Sequence, residues 1–467
     1  MSRPVAAGPV LVWFRDDLRL ADHPALAAAA KSRRAVIAVY ILDESTERPP
    51  GGAARWWLAG SLEALERDLA RHGVPLVLRR GSPETIIPAL AQEAGASAVH
   101  WNRRNRVAAA ALDDRVATAL RRAGVAAEIG PGDLLFDPAT LLSGSGAPYR
   151  VFTPFWRACQ ASSPPPTPIA APRRLIAPET SPESERLQDW GLRPGRPDWA
   201  GGLRAAWTPG ERAARKRLRR FLATSLASYR RRRDLPAEPG TSGISPHLRW
   251  GEISLRQAWH AAEEQGGKDA ESFLRELAWR EFAAHVLWRE PDLAERPLRR
   301  EFSAMPWRHD AAALRAWERG RTGYPLVDAG MRELWATGYM HNRVRMAAAS
   351  FLVKHLMLPW QAGEAWFWDT LVDADPASNP FNWQWVAGCG VDAAPYFRIF
   401  NPILQGRKFD PAGAYVRRWI PELAMLPARL VHTPWQIPDA APDYPPPIVE
   451  HGAARRRALA AWTAIRR

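Results

Sequence analysis

The chain has 467 residues, more than a single hydrophobic core usually supports, so two domains are expected. Its 64 Lys and Arg exceed its 49 Asp and Glu, and the net charge of +15 favours a polyanionic partner, although a codon bias toward Arg and Ala would give the same excess. No apolar run reaches the roughly 20 residues of a membrane helix, and the first nine residues lack a signal-peptide core.

The first third of the chain alternates short apolar runs with Ala- and Leu-rich segments. The runs predict buried strands at Val10–Phe14, Ala35–Leu42, Val74–Leu78, Ala98–Trp101 and Ala126–Ile129. The segments between them predict helices at Pro24–Ala30, Trp57–His72, Glu84–Ala94 and Ala108–Ala123. This alternation indicates an α/β domain with a Rossmann-like parallel sheet, covered by helices on both faces.

A proline-rich stretch from Ser162 to about Pro209 predicts a long connector laid over the surface. The chain then becomes helical, beginning with an amphipathic segment at Glu211–Arg232. Further helices are predicted at Leu255–Gln265, Ala270–Arg289, Ala311–Arg319, Pro325–Thr337, Asn342–Met357 and Gly363–Leu371. We therefore expect an α/β domain over 1–135, a connector over 136–209 and an all-α domain over 210–467.

Tryptophan is unusually frequent, with 23 residues against 14 Phe and 8 Tyr. Packing is the ordinary role of such a side chain. Trp also stacks on nucleobases and can donate an electron to an excited chromophore, so the composition favours one or both of these roles. The two cysteines, Cys159 and Cys389, form no paired motif, as expected in a reducing cytoplasm.

Polar motifs in the helical half indicate a ligand site. The loop from Gly240 to Leu248 offers hydroxyl and backbone N–H groups before a predicted helix, an arrangement that suits a pyrophosphate. In the predicted helix Ala270–Arg289, Glu276, Trp279 and Arg280 share a face that could stack on and hydrogen-bond to a base. A plain i,i+4 ion pair between Glu276 and Arg280 is the simpler interpretation.

A second group of polar residues lies between Leu371 and Pro380, in a predicted loop. Asp373 could pair with Arg345, whereas Asp375 could accept protons from a ligand and Asn379 could both donate and accept. A metal is the competing interpretation of the two carboxylates. Because no His or Cys lies beside them at ligand spacing, we expect no metal.

The segment Asn382–Pro402, read as NWQWVAGCGVDAAPYFRIFNP, makes a resemblance specific. Together with the motifs above, with WFRDDLR from Trp13 and with PPPIVEH from Pro445, it resembles the DNA photolyase/cryptochrome family over nearly the whole chain. The likeness is greatest to microbial (class I type) cyclobutane pyrimidine dimer photolyases. It implies an α/β antenna domain, a connector and a helical FAD-binding catalytic domain.

The same resemblance implies an enzyme, a deoxyribodipyrimidine photo-lyase, that repairs cyclobutane pyrimidine dimers in light. An electron passes from photoexcited, fully reduced FAD to the dimer, the ring splits and the electron returns. The implied partner is UV-damaged DNA, extruded at modest cost because the lesion already disrupts stacking. We expect a cytoplasmic monomer that binds phosphates without reading sequence.

Site residues carry over from the family's motifs. The residues that match FAD-binding positions are Tyr229, Thr241, Ser242, Gly243, Ile244, Ser245, Arg345, Asp373, Asp375 and Asn379, the last facing flavin N5. Those that match the lesion and DNA side are Arg233, Glu276, Trp279, Arg280, Asn342, Arg343, Met346, Trp385 and Gln405. The electron relay matches Trp307, Trp360 and Trp383, which with Asn379 and Glu276 are the expected catalytic residues.

Several alternatives compete with dimer repair. A (6-4) photolyase would be expected to carry histidines where Asn342 and Met346 stand. A cryptochrome-type blue-light photoreceptor usually carries Asp or Cys where this chain has Asn379. A plain basic DNA-binding protein would not explain the Trp pattern, and no motif indicates the second substrate site of a flavin oxidoreductase.

A second chromophore is the open question of the N-terminal domain. Methenyltetrahydrofolate, an 8-hydroxy-deazaflavin, another antenna or none is compatible with the sequence. Folate-binding relatives tend to carry an acidic residue where this chain has Arg106, which counts against folate.

Overall fold

The computed structural model describes residues 8–393, 397–437, 439 and 441–466. Two compact units alternate along the sequence. The first comprises the residues up to Leu142, Ala158–Leu222 and Gly243–Gly266, and the second comprises Ser143–Arg157, Ala223–Ser242 and the residues from Gly267 onwards. The three-part division expected from the sequence stays a prediction.

A five-stranded parallel sheet forms the centre of the first unit, in the order β3-β2-β1-β4-β5. Its strands are β1 (Val10–Phe14), β2 (Val36–Leu42), β3 (Leu76–Arg80), β4 (Ala98–Asn102) and β5 (Ala126–Gly130). The intervening helices are α1 (Pro24–Lys31), α2 (Gly52–Ala70), α3 (Pro83–Glu93) and α4 (Val107–Arg122). The chain winds outward from β1 in one direction and then in the other, which confirms the Rossmann-like α/β prediction.

The strands differ in burial. Every residue of β1 and β2 is buried, as expected for central strands of a parallel sheet covered on both faces. The prediction that Ala126–Ile129 is buried is wrong, because β5 is an edge strand whose residues are exposed or half-buried. Helix α2 also begins five residues before the predicted start at Trp57, since small residues at its N-terminus carry little periodic signal.

The proline-rich connector runs along the other edge of the sheet. Both backbone polar groups of Leu78 in β3 are hydrogen-bonded to the connector. The Leu78 N–H donates to Ser184 Oγ at 2.9 Å, and the Leu78 carbonyl accepts from the Glu185 N–H at 3.0 Å. The N–H of Arg80 donates to Glu185 Oε1 at 3.1 Å. These residues therefore lie against the edge of the sheet, and their polar groups satisfy the backbone of the edge strand.

Helices make up most of the rest of the chain, which confirms the predicted helical C-terminal domain. Those before residue 266 are α5 (Phe152–Ala161), α6 (Gly201–Ala206), α7 (Glu211–Thr224), α8 (Tyr229–Arg232), α9 (Ser245–Arg249) and α10 (Leu255–Glu263). Those after it are α11 (Gly267–Arg289), α12 (Ala311–Glu318), α13 (Pro325–Thr337), α14 (Asn342–Ser350), α15 (Trp360–Thr370), α16 (Ser378–Ala387), α17 (Pro402–Phe409), α18 (Ala414–Trp419) and α19 (His451–Ile465).

Two helix predictions need correction. The segment predicted as one helix, Glu211–Arg232, is broken at Ser225, whose φ of −126° is not helical and whose hydroxyl donates to the Pro239 carbonyl at 3.1 Å. Helix α16 was missed because Pro380 suggested a loop. The proline lies in the first turn of α16, where its missing N–H costs no hydrogen bond.

The apolar core of the second unit contains several large aromatic side chains. Trp317, Trp360, Trp383 and Tyr415 are all buried in it, together with residues of α13, α14 and the π-helical turn Phe351–Leu356 that follows α14. No described helix is long and apolar enough to cross a membrane.

Candidate functional site

The side chain of Asp375 organises the loop before α16. Its Oδ1 accepts from the N–H groups of Ala377 at 3.0 Å and Ser378 at 2.8 Å, which satisfies the start of that helix. Its Oδ2 accepts from Arg280 Nη2 of α11 at 2.7 Å. One carboxylate thus joins α11, which carries Glu276 and Trp279, to α16, which carries Asn379, Trp383 and Trp385.

Asn379 lies in the first turn of α16, with its side-chain amide oriented by Glu364 of α15. Nδ2 donates to the Glu364 carbonyl at 3.1 Å and to its Oε1 at 2.8 Å. Both residues are buried, and within the described residues Oδ1 of Asn379 accepts no hydrogen bond. Because Nδ2 is fully used, the amide presents an acceptor to a ligand N–H group.

The predicted ion pair between Arg345 and Asp373 is confirmed. Arg345 Nη2 lies 3.1 and 2.9 Å from the two Asp373 oxygens, and its Nε donates to the Met340 carbonyl at 2.7 Å. Its guanidinium also lies 5.1 Å from the centre of the Tyr339 ring. Burial raises the pKa of Tyr339, whose hydroxyl is hydrogen-bonded to Thr241, so the phenol stays neutral beside the ion pair.

The loop predicted to bind phosphate spans the two units and is described within each. Thr241 and Ser242 belong to the second unit, and Gly243, Ile244 and Ser245 belong to the first. Gly243 has a φ of +61°, and a Cβ there would lie 2.7 Å from Arg217 Nη1, so both conformation and space favour glycine. Ile244 is buried, and Ser245 begins α9.

Charged residues of α8 and α11 pair across helices rather than along one. Glu276 accepts from Arg233 Nη1 at 2.5 Å, and Arg280 binds Asp375, so the simpler i,i+4 pair between Glu276 and Arg280 does not form. Hydrogen bonding to Glu276 raises the pKa of Arg233 despite partial burial, and the guanidinium lies 5.3 Å from the centre of the buried Tyr229 ring. Trp279, on the same face of α11, is half-buried.

The remaining lesion-side residues lie on three helices. Asn342 begins α14 and is exposed, and Met346, one turn later, is half-buried. Arg343 pairs with Asp234 at 2.7 Å. Trp385 of α16 and Gln405 of α17 are half-buried. Of the conspicuous segment Asn382–Pro402, Ala394, Pro395 and Tyr396 lie outside the described residues.

The three relay tryptophans differ in exposure. Trp383 and Trp360 are buried, whereas Trp307 is half-buried. The Trp383 ring lies against Gly363, where a Cβ would be 2.1 Å from its Cη2, so it packs one turn after Trp360 on α15. The Arg308 N–H donates to the Met357 carbonyl at 2.7 Å, which brings the Trp307 segment beside the chain that leads into Trp360.

Two residues that orient predicted site residues, Glu364 and Phe152, were not predicted from the sequence. Glu364 orients Asn379 but lies fifteen positions earlier, and no spacing rule connects the two. Phe152, whose ring is stacked on Trp279 at 3.7 Å, lies in a segment that had been assigned to the connector. An aromatic at the start of an amphipathic helix was the only available signal.

The first unit has a polar cleft beside the carboxyl ends of β1 and β4. It is lined by charged residues that include Arg15, Asp16, Arg104 and Arg106. Arg106 binds both Asp16 at 2.7 Å and Glu47 at 2.5 Å, and their carboxylates raise its pKa although it is buried. A cleft of this charge suits an anionic ligand.

The residues of the second unit fit a flavin. The buried Asn379 acceptor, the Arg345–Asp373 pair and the Asp375 carboxylate provide the mixture of acceptors and donors that an isoalloxazine and its side chain would need. Among the described residues, no group of three or more His, Cys, Asp or Glu side chains is arranged to hold a metal ion.

Comparison with known proteins identifies the family. The family described as DNA photolyase matches residues 10–173, and the FAD binding domain of DNA photolyase matches residues 273–464. The chain belongs to the photolyase/cryptochrome family. It is 49% identical to a deoxyribodipyrimidine photo-lyase of Agrobacterium fabrum, over 98% of each chain.

Two further relatives show the range of this photolyase/cryptochrome family. A crystal structure of a bacterial class III photolyase from Agrobacterium tumefaciens superposes with a TM-score of 0.96 at 48% identity, covering 100% of this chain and 99% of that one. Cryptochrome-1 of Arabidopsis thaliana is 36% identical over 97% of this chain and 70% of the cryptochrome. The family and fold are therefore those expected from the sequence, and the chain contains the FAD-binding domain of the family.

The half-buried carboxyl of Glu333, close to Arg345, predicts a pH dependence of stability. Burial raises the pKa of Glu333 from 4.5 to about 7, although the Tyr415 hydroxyl and the His341 N–H donate to it. Because the folded pKa is the higher one, the stabilisation is fully present below pH 4.5 and is lost as the pH rises through about 7. It amounts to roughly 1–3 kcal/mol.

Glu333→Gln should therefore reduce the decline of the free energy of unfolding between pH 5 and pH 8 by roughly 1–3 kcal/mol. Denaturant unfolding at each pH measures this free energy. Glu271→Gln, which changes an exposed carboxyl of α11, is the matched control and should leave the decline unchanged. The assignment of Glu333 is wrong if its variant declines with pH as steeply as the wild type.

Proposed function

We propose that this chain is a light-dependent DNA-repair enzyme that splits cyclobutane pyrimidine dimers. The observation that supports this most directly is the buried Asn379 acceptor, held by Glu364, in a chain similar to a deoxyribodipyrimidine photo-lyase over nearly its whole length. The chemistry that bound FAD supplies is donation of an electron to the dimer in light and its recovery after the ring splits. No net redox change results.

The residues proposed to hold FAD are those that match the family, each with its own task. Arg345 and Asp373 offer a fixed pair of opposite charges to polar ring atoms, while Asn379 offers its oxygen to a ring N–H group. Tyr229 packs edge-on against Phe273 with ring centroids 5.6 Å apart, which restricts the phenol to one orientation. Thr241, Ser242, Gly243, Ile244 and Ser245 are proposed to bind the phosphates.

The lesion side is proposed to consist of Trp279, Trp385, Glu276, Asn342 and Met346, with Gln405 at its margin. Half-buried indoles suit contact with an extruded pyrimidine dimer, and the Glu276 carboxylate can accept from a pyrimidine N–H. Arg280 acts there through its bond to Asp375. Arg233 and Arg343, which match the DNA side, each already pair with a carboxylate, so contacts to phosphate would have to compete with Glu276 and Asp234.

Several finer features are also proposed. The class III designation of the Agrobacterium tumefaciens relative favours class III over the class I type suggested by the sequence. The polar cleft of the first unit is the proposed site of an antenna chromophore. We further propose a cytoplasmic monomer, which needs no second subunit to complete the residues named above.

Dimer repair is tested with FAD-loaded, pre-reduced protein and oligonucleotides that contain either a thymine dimer or a (6-4) photoproduct. We expect thymine absorbance to be restored from the dimer in light and unchanged in darkness, with the (6-4) substrate intact. Repair of the (6-4) lesion instead would favour that alternative. Absence of any repair under illumination would favour a cryptochrome-type photoreceptor. This is the second candidate function because the chain is also similar to an Arabidopsis cryptochrome.

The relay is tested by Trp307→Phe, which removes the most exposed of the three tryptophans proposed to carry the electron. Photoreduction of oxidised flavin should slow strongly, while repair by pre-reduced enzyme should persist. Trp199→Phe, at an exposed tryptophan of the first unit, is the control and should change neither rate. Equal loss of both activities in Trp307→Phe would contradict a relay role.

The Asn379 contact is tested by Asn379→Asp. A carboxyl there would face the Glu364 carbonyl and carboxylate with two acceptors, so it must gain a proton or move away. The absorption spectrum after partial photoreduction should therefore differ from that of the wild type. Asn382→Asp, one position before Trp383 and exposed, should leave the spectrum unchanged. Identical spectra for all three proteins would argue against the contact.

A further inference from the structure

Phe152 forms a close stack with Trp279. Their ring centroids are 3.7 Å apart and their planes differ by 8°, and Phe152 is only 2% exposed. Arg275, one turn earlier on α11, has its guanidinium 5.8 Å from the centre of the Phe152 ring. Phe152 therefore covers one face of Trp279 and fixes the plane of the indole.

Asp392 forms three hydrogen bonds, two of them with the backbone of this segment. Its N–H donates to the Arg150 carbonyl at 3.1 Å, and its Oδ1 accepts from the Phe152 N–H at 3.2 Å. Its own carbonyl accepts from Trp385 Nε1 at 3.0 Å. A single residue thus contacts both the segment behind Trp279 and the indole of Trp385.

The start of α5 explains why a carboxylate is needed there. The first N–H groups of a helix have no partner within the helix, and a nearby anion also interacts favourably with the helix dipole. Here Asp392 supplies that acceptor from 240 positions along the chain. It does so with a φ of +52°, a conformation that Asp and Asn tolerate better than most residues.

We propose that Phe152 and Asp392 are positioning residues that hold Trp279 and Trp385 in the orientation that receives the pyrimidine dimer. The inference rests on the proposed function, in which these two indoles contact the lesion. Neither positioning residue is required to touch DNA. Phe152 sets the plane of Trp279 by stacking, and Asp392 fixes both the backbone of Phe152 and the indole N–H of Trp385.

The first test is Phe152→Leu, which keeps an apolar side chain but removes the flat ring. The dissociation constant for an oligonucleotide with one thymine dimer should rise about two- to tenfold, the range expected for loss of one aromatic stack. Affinity for the undamaged oligonucleotide, the bound flavin spectrum and the photoreduction rate should not change, because phosphate contacts and the relay do not involve this ring.

Phe155→Leu is the matched control. Phe155 lies on the same helix, is fully buried and contacts Phe152, Phe282 and His285, and no ring contact joins it to Trp279 among the described residues. It should lose thermal stability to a similar degree but keep the preference for the lesion. An equal loss of lesion preference in both variants would overturn the proposal.

A second pair of variants tests Asp392 without disturbing the core. Asp392→Gly accepts the positive φ but removes the side-chain acceptor, whereas Asp392→Asn keeps an oxygen for the Phe152 N–H. Asp392→Gly should weaken dimer binding about two- to tenfold, as expected for one lost hydrogen bond, and Asp392→Asn should restore it. Wild-type affinity in both Asp392→Gly and Phe152→Leu would overturn the proposal.

Trp279→Ala separates this inference from the proposed function. If that variant binds dimer-containing DNA as well as the wild type does, the lesion site itself is wrongly assigned. If it loses the lesion preference while Phe152→Leu and Asp392→Gly retain it, the lesion site stands and only the positioning role fails.

Discussion

The carboxylate of Asp375 is the contact on which the arrangement of the second unit depends most. One oxygen satisfies the first N–H groups of α16, and the other binds Arg280 of α11. Helix α16 carries Asn379, Trp383 and Trp385, while α11 carries Glu276 and Trp279. Because a short salt bridge with additional backbone donors is geometrically specific, Asn379, Trp383 and Trp385 of α16 are held relative to Glu276 and Trp279 of α11 through this side chain.

Charge compensation distinguishes the inner residues of the site from the surface. The chain has a formal charge of +15, yet Arg233, Arg280, Arg343 and Arg345 are each paired with a carboxylate. The excess positive charge that favours DNA must therefore come mostly from other, exposed cations. Under the proposed function, this separation would let exposed cations attract DNA while the residues proposed to bind the lesion stay close to neutral.

The sequence predicted the elements whose signal is periodic and local. The parallel α/β sheet and α13 agree with the structure because hydrophobic periodicity determines them, and the predicted pair between Arg345 and Asp373 also forms. The break at Ser225 could not be predicted, since it depends on a bond to the Pro239 carbonyl that forms only in the folded chain. The roles of Glu364, Phe152 and Asp392 had no sequence signal either, because each acts on a residue that is distant in sequence.

Ser184 and Glu185 cover the edge strand β3, and an N-terminal domain without them would leave that edge open. An open edge strand presents unpaired N–H and carbonyl groups that can pair with another chain. Ser184 and Glu185 occupy those groups at Leu78 and Arg80, using side-chain as well as backbone atoms. A fragment that ends at residue 135 would keep every strand but lose this cover, and it would be prone to self-association through β3. The residues around Ser184 therefore protect the edge of the sheet, besides continuing the chain toward its helical part.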